Sequence, residues 1–217
     1  MTIYDLKPEF QNRLRPLVGA LAKRNISPNQ VTLAALALCI LVGLLLATFP
    51  NARGLYLLIP LILFVRMALN AIDGMLAKEH NQKTVLGGFL NELADVWSDA
   101  ALYLPFARIT PELSGFLILI VILAATSELT GVIAASAGAS RRYDGPMGKS
   151  DRAFSFGLLA LILTFWNMPI WVLAVGYSVI LGLLALTHVN RIRAAFRDLN
   201  VQTDNVQTDV GQEQHVS

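Results

Sequence analysis

The sequence predicts an all-α, polytopic integral membrane protein with six transmembrane helices and an N-terminal amphipathic juxtamembrane helix. Three observations predict it. Hydrophobic residues make up 55% of the 217 positions and charged residues only 15%, with a mean hydropathy of +0.56, far too apolar for a soluble domain of this size. Six apolar stretches approach or reach the ~20 residues that a helix needs to cross a bilayer. Basic residues crowd into alternate connecting segments, the asymmetry that fixes orientation in a membrane.

In residues 1–27, Ile3, Leu6, Phe10, Leu14, Leu17, Val18 and Leu21 recur at three- and four-residue spacing among Lys, Arg, Gln and Asn. This pattern predicts a helix lying on the cytoplasmic leaflet. The segment lacks the continuous apolar core and small-residue cleavage site of a signal peptide, so it is expected to be retained. The membrane domain is expected over residues 28–190, with spans at 30–49, 55–77, 85–106, 113–137, 153–166 and 169–188. Asn167 and Met168 form the turn between the last two, and Pro169 opens the sixth helix. Residues 191–217 turn polar and contain a tandem repeat, Asn200-Val-Gln-Thr-Asp204 followed by Asn205-Val-Gln-Thr-Asp209, which predicts a disordered cytoplasmic tail. The single cysteine, Cys39, rules out a disulfide within the chain and is expected as apolar filler.

Orientation follows from the charges. Fourteen of the 17 basic residues fall on one side: Lys7 to Arg24 before the first span, Lys78 and Lys83, the group from Arg141 to Arg152, and Arg191, Arg193 and Arg197. The opposite loops hold only Arg53 and Arg108, so both termini are expected to be cytoplasmic, at the inner membrane if the source is bacterial.

Against this apolar background stand Asn70 and Asp73, then Asn91, Asp95 and Asp99. A charged group at membrane depth costs at least ~2.5 kcal/mol on insertion scales, so such a cluster marks a functional site. Spacings of three and four put Asn70, Asp73 and Ala77 on one face of the second helix, and Asn91, Asp95 and Asp99 on one face of the third. Two such helices can direct oxygen ligands into one pocket near the cytoplasmic surface, while Gly74 and Gly87 allow close approach. Oxygen donors without His or Cys suit Mg²⁺ or Mn²⁺, and a divalent ion beside carboxylates is the usual apparatus for handling a pyrophosphate.

The run Asn70-Ala-Ile-Asp73-Gly74-Met-Leu-Ala77-Lys78, eight residues, Gly87-Gly-Phe-Leu-Asn91-Glu-Leu-Ala-Asp95 resembles the signature of the CDP-alcohol phosphatidyltransferases, D-x2-D-G-x2-A-R-x8-G-x3-D-x3-D. Every interval matches. Asp73, Gly74, Ala77, Gly87 and Asp95 are identical, Lys78 replaces Arg, and Asn70 and Asn91 stand at the first and third acidic positions. Pro28-Asn29-Gln-Val-Thr32-Leu33 is similar to that family's P-N-x-x-T-L segment, and Gly148-Lys149-Ser-Asp151-Arg152 to its G-K segment before the fifth helix. Glu128 sits where many members carry an Arg-Glu pair, with Ser127 in place of the Arg.

The resemblance implies a phosphotransferase of phospholipid biosynthesis, moving a phosphoalcohol group from a CDP-alcohol such as CDP-diacylglycerol to a hydroxyl acceptor with release of CMP. It implies Mg²⁺ or Mn²⁺ held by Asp73 and Asp95 with Asn70 and Asn91, and Asp95 as general base. Gly74, Ala77, Lys78, Gly87 and Thr32 would hold the nucleotide. Lys149, Arg152, Arg141 and Arg142 are candidates for an acceptor phosphate or lipid head group. Homodimerisation is implied by the resemblance, and no nucleic-acid partner is expected.

Each Asn removes a negative charge, and Glu92 and Asp99 are the acids placed to restore it. Arg66, on the same helix face, is expected to form an intramembrane ion pair with Asp99 or Glu128. His80 is expected as a solvated loop residue and His188 as the end of the sixth helix, where positive charge suits the helix dipole. Two other functions fit the same residues: a catalytically impaired relative that binds metal and nucleotide, and a small transporter using the carboxylates as a relay.

Overall fold

The computed structural model describes the backbone of residues 3–213 and the side chains of residues 8–201. Its regular structure is helical throughout: α1 (Ile3–Lys23), α2 (Pro28–Thr48), α3 (Leu58–Glu79), α4 (Val85–Tyr103), α5 (Ser114–Ser136), α6 (Lys149–Phe165) and α7 (Ile170–Glu213), with short 3-10 turns at Arg53–Leu57, Leu104–Arg108 and Pro111–Leu113. These elements form two compact units. The first holds α1 to α4 and α6 from Ala153 onward, and the second holds α5, residues 137–152 and α7.

In the first unit, α2 begins two residues before the expected span because its start is doubly capped. The Gln30 amide N–H donates to Ser27 Oγ at 3.3 Å, the Ser27 N–H donates to Gln30 Oε1 at 2.9 Å, and Pro28 occupies the first turn. Val18 of α1 packs with Val31, Ile72, Met75 and Leu76, joining α1 to α2 and α3. Beyond α4, Phe106 and Phe156 meet edge to face at 5.4 Å, while Tyr103 stacks on Phe156 at 3.9 Å, holding α6 to the end of α4.

The α2–α4 contact depends on a glycine. A Cβ on Gly43 would lie 2.1 Å from the main-chain oxygen of Ala101, so the backbones approach too closely for any side chain. Gly43→Ala must separate the two helices and is expected to destabilise the protein by about 1–3 kcal/mol, read as a lower unfolding midpoint in detergent.

Among the described residues, four helical segments are long and apolar enough to cross a membrane: Pro28–Thr48, Arg53–Glu79, Pro111–Ser136 and Ile170–Val201. The other two expected spans are present as helices, but α6 has only 17 residues and α4 carries Glu92, Asp95 and Asp99. The charges of α4 are not spread around it: Asp99 is buried beside Ala94 and Ser98, whereas Val85, Phe89, Leu93 and Trp97, four residues apart, are exposed.

In the second unit α7 does not stop at His188; it continues to Glu213, through residues 191–213 where the sequence predicts a disordered tail. Packing explains the continuation as far as Leu199. Ala195 forms a small core with Ala134 and Ala139, backed by Leu199, and Asp198 Oδ2 accepts hydrogen bonds from Ser140 Oγ at 2.5 Å and Arg142 Nη1 at 2.6 Å. His188 therefore lies within a helix, bonded to Thr126 Oγ1 at 3.0 Å and to the Leu184 carbonyl at 2.8 Å, and the expected helix-end role for it is overturned. Residues 214–217 of the expected tail lie outside the described residues.

The segment before α6 is laced to the same helix. Gly145 has φ +121°, and a Cβ there would lie 2.7 Å from the Thr187 Cα. The Met147 N–H donates to Thr187 Oγ1 at 3.0 Å.

Candidate functional site

Helical spacing carries Arg66, Asn70 and Asp73 along α3, and Asn91, Asp95 and Asp99 along α4. The two sets meet. Arg66, 3% exposed, donates from Nη1 to Asp99 Oδ1 at 2.5 Å. Its Nη2 donates to Asp95 Oδ1 at 3.2 Å and to the Asp95 carbonyl at 3.0 Å. Asn70 Nδ2 donates to the same Asp95 oxygen at 3.3 Å. Arg66 thus pairs with Asp99, one of its two expected partners, and also with Asp95; Glu128 lies in the other unit. The Asp99 carboxylate is thus engaged by this guanidinium.

Asp73, 6% exposed, accepts a 2.7 Å hydrogen bond on Oδ2 from Thr32 Oγ1. Thr32 lies one turn into α2, with its hydroxyl also 3.1 Å from the Pro28 carbonyl, so the capped start of α2 positions the Asp73 carboxylate. Asn91 and Glu92 are half-buried on α4, one turn before Asp95. Gly74 faces open space, with nothing within 4 Å of a Cβ built there, whereas a Cβ on Gly87 would meet Asn29 Oδ1 at 2.7 Å and Thr84 Oγ1 at 3.0 Å. Ala77 is half-buried and Lys78 exposed at the end of α3.

A cleft of about 360 Å³ opens beside these residues, lined by Asn25, Ser27, Pro28, Asn29, Gln82 and Thr84. Asn29 and Thr84 were not among the expected site residues. The P-N-x-x-T-L segment and the cap of α4 are the signals that mark them.

The donor set is oxygen only. Among the described residues no three His, Cys, Asp or Glu side chains converge on one point. A cation here would rest on the Asp73 and Asp95 carboxylates with the amide oxygens of Asn70 and Asn91, since turning an amide exchanges its nitrogen for its carbonyl. That set fits a hard divalent ion.

The second unit carries a separate basic cluster around Glu128 of α5. Arg152 Nη2 lies 3.0 Å from Glu128 Oε1, Arg191 Nη1 3.5 Å from Oε2, and Arg141 Nη2 3.9 Å from Oε2. Arg152 and Arg191 are both 1% exposed. Arg191 also donates to the Ser127 carbonyl, and Arg152 to the Met147 carbonyl at 3.3 Å. Three guanidinium groups thus share the Glu128 carboxylate. Of the expected acceptor residues, Arg152 and Arg141 belong to this cluster. Lys149 opens α6, and Arg142 instead binds Asp144 and Asp198. The hydrogen bond from Arg142 holds the Asp144 carboxyl below its ordinary range. Arg191, the third member of the cluster, was not among the expected site residues because it lies beyond the expected end of the last helix.

The chain is 46% identical over 200 residues to the inner membrane protein YnbA of Escherichia coli strain K12, covering 89% of this chain and 96% of that protein. It is 31% identical over 97 residues to the archaetidylinositol phosphate synthase of Pyrococcus horikoshii, covering 45% of this chain and 49% of the synthase. The fold matches crystal structures of the Mycobacterium tuberculosis phosphatidylinositol phosphate synthase. With CDP-DAG bound, the TM-score is 0.70 over 83% of this chain and 92% of that one. With manganese and citrate it is 0.69 over 83% and 88%. The identity is 19% in both cases. With its spanning helices and its similarity to an inner membrane protein, the chain is an integral membrane protein. The sequence profile of the CDP-alcohol phosphatidyltransferases matches residues 25–189, and the chain belongs to that family of membrane transferases.

Proposed function

We propose that this member transfers the phosphoalcohol part of a CDP-alcohol, CDP-diacylglycerol in the first instance, to a hydroxyl acceptor. The observation that supports the reading is the signature spacing of Asp73 on α3 and Asp95 on α4, the first braced by Thr32 and the second by Arg66 and Asn70. Asp95 is the general base: its carboxylate takes the acceptor's hydroxyl proton as the oxygen attacks the β-phosphorus, and the bond from that phosphorus to CMP breaks. Gly87, Gly74, Ala77 and Lys78 border the nucleotide, together with Thr32. A bound Mg²⁺ or Mn²⁺, with Asp73, Asp95, Asn70 and Asn91 as its ligands, would polarise the diphosphate and stabilise the departing CMP. The manganese and the CDP-DAG in the mycobacterial synthase support this choice of cation and donor.

The acceptor side is assigned to Arg152 and Arg141 with Lys149, cationic side chains of the kind that bind a phosphorylated alcohol or an anionic head group. We further propose six membrane crossings, with α4 and α6 as the two short ones, α1 lying along the cytoplasmic surface, both termini and the site facing the cytoplasm, and a homodimer as the assembly. Asn70 and Asn91 are read as the first and third acidic positions of the signature.

The test is release of labelled CMP from CDP-diacylglycerol by the purified protein in liposomes, with Mg²⁺ or Mn²⁺ and a pool of polar acceptors. CMP release that requires both an acceptor and Asp73, lost in Asp73→Ala, is the expected result. CDP binding without CMP release from any CDP-alcohol would replace the reading with that of an impaired relative, which Asn70 and Asn91 favour.

A further inference from the structure

Two turns of unlike sequence border the cleft beside Gly87 in the same way. The first ends α1: Asn25 is left-handed at φ +56°, the Ile26 N–H donates to the Leu21 carbonyl at 3.1 Å, and Ser27 then caps α2. The second ends α3: Asn81 is left-handed at φ +53°, the Gln82 N–H donates to the Ala77 carbonyl at 3.1 Å, and Thr84 then caps α4, its Oγ1 accepting the Gly87 N–H at 2.9 Å. Each turn is pinned by the helix on either side of it, so Asn25, Ser27, Gln82 and Thr84 line the cleft from fixed backbone positions.

One polar atom in this frame is unmatched. Gln82 is half-buried and lines the cleft, yet its Oε1 is buried and accepts no hydrogen bond among the described residues. A buried acceptor left in that state costs stability, and a bound molecule that brings an N–H donor would satisfy it. Around it the cleft offers donors: the amide nitrogens of Asn25 and Asn29 and the hydroxyls of Ser27 and Thr84. The first turns of α2 and α4 also bring the positive ends of two helix dipoles. An acceptor set among donors is complementary to the edge of cytosine, whose exocyclic amine donates while its ring nitrogen N3 and its carbonyl oxygen accept. Uracil carries a carbonyl in place of the amine and would set an acceptor against an acceptor. The volume, about 360 Å³, lies within the ~300–1,000 Å³ of small-molecule sites. The cleft also leads to the acids: Pro28 lines it, and the Thr32 hydroxyl, one turn on, lies 3.1 Å from the Pro28 carbonyl and 2.7 Å from Asp73 Oδ2.

Resting on the transferase reading, we infer that this cleft holds the cytosine of the CDP-alcohol and that Gln82 selects it, its Oε1 accepting a hydrogen bond from the exocyclic amine. The ribose and diphosphate then run along the start of α2 toward Asp73. Gln82 sets which base is admitted and takes no part in the chemical step.

The test is calorimetric titration of the purified full-length protein in detergent with CDP and with UDP, Mg²⁺ being present. The two nucleotides share ribose and diphosphate, so the ratio of their affinities reports the base alone. The wild-type protein is expected to favour CDP at least ~10-fold. Gln82→Leu, similar in size but without an acceptor, should bring the ratio close to unity by weakening CDP while UDP binds much as before, which separates loss of the base contact from loss of the fold. Gln82→Glu, whose carboxylate only accepts, should keep the preference. Equal binding of CDP and UDP by the wild-type protein, a preference that survives Gln82→Leu or is lost in Gln82→Glu, or binding of neither nucleotide would each overturn the inference. CMP release from CDP-alcohols is assayed on the same preparations. A preference that survives Gln82→Leu with CMP release intact would leave the transferase standing and remove only this inference. A Gln82-dependent preference without CMP release from any CDP-alcohol would do the reverse.

Discussion

Arg66→Met is expected to lower the stability of the detergent-solubilised protein by about 3–5 kcal/mol, because it removes the positive charge that pairs with two carboxylates of α4. Asp99 bears most of the loss: its side chain is 5% exposed and its bond to Arg66 is the shorter of the two. A drop of that size corresponds to about 10 °C in the unfolding midpoint for a chain of this length. Methionine keeps much of the aliphatic stem, so the change tests charge more than volume. The double variant Arg66→Met with Asp99→Leu should recover part of the loss, since it removes the buried carboxylate along with its counter-charge. A double variant no more stable than the single one would place the destabilisation elsewhere in the packing of α3 on α4.

Asp95→Asn is expected to reduce CMP release about 10²- to 10⁴-fold, the usual range for loss of a general base. The amide preserves size and an oxygen that can accept from Arg66 and Asn70, so the helices should stay in place. Measuring the unfolding midpoint beside the rate separates chemistry from collapse. A variant with a normal midpoint and a normal rate would take the base assignment away from Asp95.

Much of this arrangement is legible in the sequence because helices translate spacing into geometry. Arg66, Asn70 and Asp73 had to share a face of α3, and Asp95 and Asp99 a face of α4, whatever the rest of the chain did. Which carboxylate Arg66 would choose was not legible: local spacing allowed Asp99 or Glu128, and the choice depends on which helices become neighbours. The count of crossings is blurred by α4 for a related reason. Averaging hydropathy along the chain mixes the inward charges of Asp95 and Asp99 with the outward stripe of Val85, Phe89, Leu93 and Trp97, although these never share an environment. The end of the last helix was misjudged because a polar run after an apolar one looks the same whether it frays or packs. Ala195 and Leu199 find Ala134 and Ala139, a contact more than fifty residues distant in sequence that no window can register.

The lacing of residues 140–147 to α7 makes the second unit an instrument of phase. Thr187, Arg191, Ala195 and Asp198 follow one another at about one turn each, and each meets that segment or the foot of α5. Inserting one residue after Thr187 would swing everything beyond it by ~100° and advance it by ~1.5 Å, withdrawing Arg191 from Glu128 and Asp198 from Arg142 together. The stretch that composition marks as a trailing tail is thus the rail on which the basic cluster is indexed. Loss of its helical register would scatter the guanidinium groups without altering any of the residues that bear them.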